Sequence, residues 1–138
     1  MEKQCRKEIQ ELHLFFQDWF NGACPKNEKT FARVEKVLSP DFHLITPNGE
    51  NITKATLIDF LWQNHNTRET EHLTIDVEKI KTIRKAKDLC IMTYHEIQAS
   101  QNTKTRRQSI VVFEASKETP NGVQWAYVQE TWIEKTES

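Results

Sequence analysis

Near residue 71 the hydrophobic period changes from a helical three-to-four spacing to alternation, and that switch restricts the chain to an α+β layout. Ahead of it, Ile9, Leu12, Phe16, Trp19 and Phe20 fall at three- and four-residue steps, with Phe15 widening the stripe. Residues 3–21 are therefore predicted to be helical, ending at Asn21-Gly22. A second helix is predicted over Glu28–Leu38, capped by Asn27 and stopped by Ser39-Pro40, with Phe31, Val34, Val37 and Leu38 on its apolar side. Asp41–Thr46 reads as extended and returns through Glu50–Ile52; Thr53 then caps a third helix in which Leu57, Ile58, Leu61, Trp62 and His65 share a face. Beyond the switch, Leu73, Ile75 and Val77 alternate until a slip near Lys79 moves the pattern to Ile80, the mark of a β-bulge. Leu89–Gln98, Thr105–Ala115 and Val123–Ile133 are three further strands, joined by polar connections at 84–88 and 100–104.

The tetrapeptide Thr-Pro-Asn-Gly occurs at Thr46–Gly49 and again at Thr119–Gly122. Proline suits the first corner of a type I turn, asparagine tolerates the second, and glycine takes the left-handed position that follows. The sequences flanking the two copies differ in period and composition, so this is one turn used twice and not an internal repeat. The whole span 1–138 is read as a single domain, long enough for one core.

Charge excludes several classes of function. Lys plus Arg number 19 against 20 Asp plus Glu, without the basic excess that nucleic-acid binding by counterion release demands. The densest cationic stretch, Lys104-Thr105-Arg106-Arg107, reads as a solvated strand end, with a phosphate or RNA contact as the alternative. Cys5, Cys24 and Cys90 are scattered and fit neither a disulfide framework nor paired zinc-ligand spacing. The first ten residues hold no signal-like apolar segment, and no run is long enough to span a membrane. The expectation is a reduced, cytoplasmic protein with no nucleic-acid or membrane partner.

The order of elements, together with the segments SPDFHLITPNGE (Ser39–Glu50), TKATLI (Thr53–Ile58) and NGVQWAYVQETW (Asn121–Trp132), resembles the nuclear transport factor 2-like superfamily. Within it, the chain is most similar to the SnoaL-like branch and to the association domain of calmodulin-dependent kinases, over most of residues 5–134. The resemblance implies a cone-shaped α+β barrel, with three N-terminal helices packed on a curved, mainly antiparallel sheet around a pocket. Members include a steroid isomerase, dehydratases, an epoxide hydrolase, polyketide cyclases and noncatalytic binding or dimerising domains, so it implies no single reaction. Final strands in the branch often carry histidines after the tryptophan, where this chain has Gln129 and Thr131 after Trp125.

Two residues are candidates for proton chemistry. Alternation puts His95 on one face with Leu89, Ile91, Thr93 and Ile97, and an imidazole facing the helices from there would act as a general base or hydrogen-bond a ligand. Glu130 alternates with Val128 and Trp132, and a carboxylate on such a face would have a raised pKa. His13 and His65 are read as boundary residues. His43, His65, His72 and His95 have no metal-ligand spacing, and no metal or cofactor is expected. Trp19, Trp62, Val111 and Trp132 are the expected ligand-binding lining for a small apolar or aromatic molecule. Three readings stay open: a small-molecule-binding domain, a cofactor-free isomerase, dehydratase or cyclase using His95 or Glu130, and a noncatalytic assembly domain. Apolar residues on both faces of the strand 105–115 (Val111 and Phe113 on one, Ile110 and Val112 on the other) predict a homodimer formed through the sheet.

Overall fold

A computed structural model describes residues 1–137; Ser138, the last residue of the span read as one domain, lies outside them. Helix α1 (Glu2–Phe20) and helix α2 (Glu28–Glu35) come first, then strands β1 (Leu38–Ile45) and β2 (Asn51–Thr53) and helix α3 (Lys54–Gln63). After a 3-10 turn at Glu69–Glu71 come β3 (Thr74–Ala86), β4 (Leu89–Ala99), β5 (Thr103–Ala115) and β6 (Val123–Glu137). The α+β class and the three helices on a curved, mostly antiparallel sheet are as the sequence implies.

The strands form one sheet in the order β2-β1-β6-β5-β4-β3. Strand β1 runs parallel to β6, a pairing the alternation pattern does not reveal. It starts where the Trp125 amide donates to the Val37 carbonyl at 2.7 Å. The second helix accordingly ends at Glu35, short of the expected Leu38, because Leu38 is taken into the sheet opposite Trp125. Pro40 is tolerated because β1 leaves its register between Leu38 and His43, so the missing N–H costs no ladder bond. The bulge near Lys79 is present: β3 slips against β4 between Glu78 and Lys81, and Lys79 has φ 55°. The expected connection at 84–88 shortens to Lys87-Asp88, since β3 continues to Ala86.

Both Thr-Pro-Asn-Gly turns are made. The Gly49 amide donates to the Thr46 carbonyl and the Gly122 amide to the Thr119 carbonyl, with φ of +85° and +75° at the glycines. Each turn also uses its asparagine. Asn48 accepts a hydrogen bond from the Trp132 indole, whereas Asn121 donates to Glu8 and Glu11 of α1.

Parity along the strands decides what faces the helices. Antiparallel partners share a face, and the register aligns Cys90 with Phe113 and Trp125, Met92 with Val111 and Val128, and Tyr94 with Ser109 and Glu130. These rungs are buried against α1, whose covered residues include Cys5, Ile9, Leu12, His13 and Trp19. Trp19 is the centre of the helical layer: its indole donates to the Leu61 carbonyl of α3 at 2.5 Å, and Phe31, Trp62 and His65 pack around it.

The most heavily bonded buried group is the Glu8 carboxylate, which is inaccessible to solvent. It accepts from both terminal nitrogens of Arg33 at 2.9 and 3.1 Å, from Asn121 at 3.0 Å and from the Trp125 indole at 2.9 Å. It thereby joins α1 to α2, to the β5–β6 turn and to β6. Glu8→Gln leaves Arg33 half-neutralised and turns an amide N–H₂ toward donors, and is expected to cost about 3 kcal/mol or more. Urea denaturation of the variant checks this; an unchanged midpoint would show the contact to be energetically idle.

Candidate functional site

Between the helices and the sheet lies a chamber of about 190 Å³. Its walls are Leu12, Phe16 and Phe20 of α1, Phe42 and Leu44 of β1, and Leu57, Phe60 and Leu61 of α3. The sheet side continues this apolar surface with Trp125 and Val128, then breaks it with Tyr94, Glu96, Gln98, Arg107 and Glu130. A vestibule of about 390 Å³, bordered by the β1–β2 hairpin, α3 and residues Asn64, Thr67 and Arg68, shares Phe20, Leu44, Leu57, Phe60, Gln98, Arg107 and Glu130 with the chamber. The two form one passage whose neck carries Arg107 and Glu130.

The polar wall is built from inner-face positions of three neighbouring strands and one helix. Glu96 of β4 is 5% exposed and His13 of α1 is 3% exposed. His13 Nδ1 lies 2.7 Å from the Ile9 carbonyl and Nε2 lies 3.1 Å from the Glu96 carboxylate, so both ring nitrogens face acceptors. That geometry suits an imidazolium donating in both directions. Burial opposes the charge on His13, but the Glu96 carboxylate overcomes it and holds the imidazole above its ordinary range. Conversely, burial alone would raise the Glu96 pKa, and the facing imidazolium instead keeps it well below the usual carboxylate range. The second Glu96 oxygen accepts from the Gln98 amide at 2.6 Å.

Glu130 is in a poorer position. Burial, followed by repulsion from Glu96, pushes its carboxyl up to about 7, against the opposing pull of Arg107 and His13. Its contact with Arg107 is long, at 3.4 Å. Among the described residues Arg107 Nε, buried, has no hydrogen-bond partner, while the guanidinium stacks over Trp132 at 4.7 Å. The Tyr94 phenol, also buried beside Glu96 and Glu130, is pushed well above its ordinary range and stays uncharged.

The expected site residues distribute unevenly over this geometry. Glu130 faces the passage as alternation implied. His95 does not: the buried side of β4 is Cys90, Met92, Tyr94 and Glu96, and His95 lies on the opposite face, its Nδ1 3.2 Å from Arg106. The aliphatic residues Leu89, Ile91 and Ile97 made the outer parity look like the inner one; its sequence neighbour Glu96 is the residue that reaches the chamber. Burial, with Lys79 and Arg106 nearby, moves His95 below its ordinary range. None of the four expected lining residues borders the chamber. Trp19 is buried in the helical layer, and Val111 is buried within the Met92–Val111–Val128 rung. Trp62 borders a separate open groove between α2 and α3, beneath Lys26. Trp132 shares the inner face but packs on Arg107, which it positions. The helical stripe by itself leaves His13 at a boundary and the cationic run puts Arg107 in solvent; parity counted from Val111 and Phe113 turns Arg107 and Ser109 inward. Among the described residues no His, Cys, Asp and Glu group is arranged to hold a metal ion, and no helix is long and apolar enough to cross a membrane.

Residues 5–134 match the sucrose-6-phosphate phosphohydrolase C-terminal family. The chain belongs to that family. For this family member no curated protein matches in sequence. Solved structures show its fold to be nuclear transport factor 2-like. An NTF-2-like protein of unknown function from Pseudomonas aeruginosa superposes with a TM-score of 0.84 at 24% identity, covering 95% of this chain and 99% of that one. The S. rosetta CaMKII hub gives 0.70 at 11% identity, covering 95% of each. A cystatin-like domain of unknown function from Nostoc punctiforme gives 0.60 at 16%, covering 91% and 75%.

A carboxyl whose folded pKa exceeds its unfolded one makes stability fall as pH rises from the ordinary carboxylate range to about 7, with the full cost present above that. Glu130→Gln is therefore expected to raise the unfolding free energy at pH 8 by on the order of 2 kcal/mol and to change it little at pH 5. Thermal denaturation at the two pH values reads this, and destabilisation at pH 8 would contradict the burial argument.

Proposed function

We propose that residues 1–138 act as one small-molecule-binding domain, with the two-part passage between helices and sheet as its site and a small apolar or aromatic molecule as its ligand. The observation that carries the reading is a wall of ionisable groups facing an otherwise apolar chamber. Protein interiors are close-packed, and a chamber serving only the fold would be filled by side chains with no carboxylate held at a cost. The family description, the C-terminal portion of a sucrose-6-phosphate phosphohydrolase, is compatible with binding or assembly beside a separate catalytic part. In an enzymatic form of the reading, a cofactor-free isomerase, dehydratase or cyclase, Glu130 is the proton carrier because its carboxyl sits near neutrality on the chamber wall; His95 is on the wrong face for that role.

Indole, benzaldehyde and benzyl alcohol are small enough to probe the chamber. At millimolar concentration at least one of them is expected to raise the melting temperature by mass action. Leu57→Trp, which fills the neck, should abolish the shift while preserving the far-ultraviolet circular dichroism. No shift with any of the three would count against the passage as a binding site.

A second reading, assembly, is favoured by the outer sheet face. Leu89 is 37% and Ile110 36% exposed there, beside Ile91, Val112 and Tyr127 on neighbouring rungs. The likeness to a CaMKII hub adds support at the level of the fold. The two roles are compatible, since they use opposite faces of one sheet. Sedimentation equilibrium is expected to give a homodimer at micromolar concentration, and Ile110→Lys a monomer; a monomeric parent protein would overturn pairing through the sheet.

A further inference from the structure

The ionisable groups of the wall do not present equal charge to the passage. His13 and Glu96 cancel one another, and their remaining positions are taken by Ile9 and Gln98. Arg107 and Glu130 cancel less completely. Both line chamber and vestibule, on adjacent strands at the neck, and their contact is long at 3.4 Å. A guanidinium stays charged at any ordinary pH, whereas the Glu130 carboxyl, at about 7, is protonated in about half of the molecules near neutrality. In those molecules the neck carries a guanidinium with no facing anion. Its Nε is buried, so the terminal Nη groups are its polar edge toward the passage, on a side chain that is 15% exposed. Arg68 adds a second guanidinium at the vestibule, tied through Nε to Glu71.

We propose that the passage takes a monocarboxylic acid with an apolar or aromatic body: its carboxylate accepts from the Nη groups of Arg107 and from the O–H of a protonated Glu130, and its body lies in the chamber. The inference rests on the passage being the binding site. Charge and shape select the class. A carboxylate brings one negative charge to one unopposed guanidinium and matches its planar fork. A phosphate ester brings up to two charges, and an ammonium would stand beside Arg107 with like charge. An uncharged ligand leaves the guanidinium unopposed or requires Glu130 to ionise against its burial. The apolar body meets Phe16, Phe42 and Leu57.

Like-charge repulsion gives the pH dependence its sign. Two carboxylates at one neck disfavour each other's ionisation, so the bound anion holds the proton on Glu130. Binding therefore takes up a proton wherever the free carboxyl is ionised. The groups facing Glu130 are Tyr94 and Glu96 from β4, Arg107 from β5 and His13 from α1, with Arg68 at the vestibule; α3 and β1 line the passage with uncharged side chains. With the free carboxyl near 7, the protonated fraction falls about tenfold between pH 6 and pH 8. His13 is the other group whose loss of charge would weaken anion binding, and Glu130→Gln separates the two, since the amide cannot ionise yet still donates.

Titration of the protein with phenylacetate and with benzyl alcohol, followed by two-dimensional NMR at pH 6 and pH 8, tests the proposal. Phenylacetate, ionised at both, is expected to bind about tenfold more tightly at pH 6; benzyl alcohol, uncharged at both, should change little. Glu130→Gln should bind phenylacetate at both pH values as the parent protein does at pH 6. Adding Arg107→Gln to that variant removes the charge from both sides of the neck, and should weaken phenylacetate about tenfold or more while keeping benzyl alcohol. Binding of benzyl alcohol without phenylacetate, or a flat or inverted phenylacetate profile in the parent protein, overturns the acid assignment and leaves the passage standing as a site. A slope that persists in Glu130→Gln moves the proton to His13 and overturns the pairing with Glu130. Binding of neither probe at either pH removes both the assignment and the binding reading.

Discussion

A single buried carboxylate sets the geometry on which the rest of the fold depends. Glu8 collects four hydrogen bonds from Arg33, Asn121 and Trp125, so α1, α2, the β5–β6 turn and β6 meet at one charge. Apolar contacts are non-directional and would let α1 slide or turn on the sheet; four directed bonds do not. Further along α1, Gln17 accepts from the Ile75 amide and Asn21 donates to the Leu73 carbonyl, which fixes the helix against β3 as well. With both ends held, His13 is delivered to Glu96 at hydrogen-bonding distance. The polar wall of the passage is thus a consequence of where α1 is fastened.

That wall separates two kinds of buried charge. His13 and Glu96 form a closed pair in which every facing group has a partner, the condition under which buried ions are tolerated. Glu130 and Arg107 are open: their contact is long, Arg107 Nε has no partner among the described residues, and the carboxyl is lifted by burial and by the neighbouring Glu96. On the chamber wall the Glu130 carboxylate is thus held at a cost that the closed pair does not carry. Trp132 stacks on Arg107 and is itself held by Asn48 of the β1–β2 turn, so the hairpin bordering the vestibule also steadies the guanidinium.

Local structure was legible because it follows from near neighbours. The helical stripe of α1, the caps Asn27 and Thr53, the bulge at Lys79 and the two Thr-Pro-Asn-Gly turns depend on spacings of a few residues and on residue-specific backbone preferences. Glu130 could also be read, since Val128 beside it marks its parity. His95 could not be placed correctly. The outer parity of β4 (Leu89, Ile91, Ile97) is more aliphatic than the inner one (Cys90, Met92, Tyr94, Glu96), so alternation by itself points to the wrong face.

What the sequence determined by itself was the set of elements, their order and the α+β class, because each depends on periodicity within one segment. Tertiary structure alone decided which parity of each strand faces the helices, that β1 joins β6 in parallel, and that His13, Glu96, Arg107 and Glu130 share one wall. The physical reason is that these outcomes depend on register between segments tens of residues apart. Register is chosen by the packing of whole faces and by a few directed bonds, such as those at Glu8, none of which leaves a local signal in the chain.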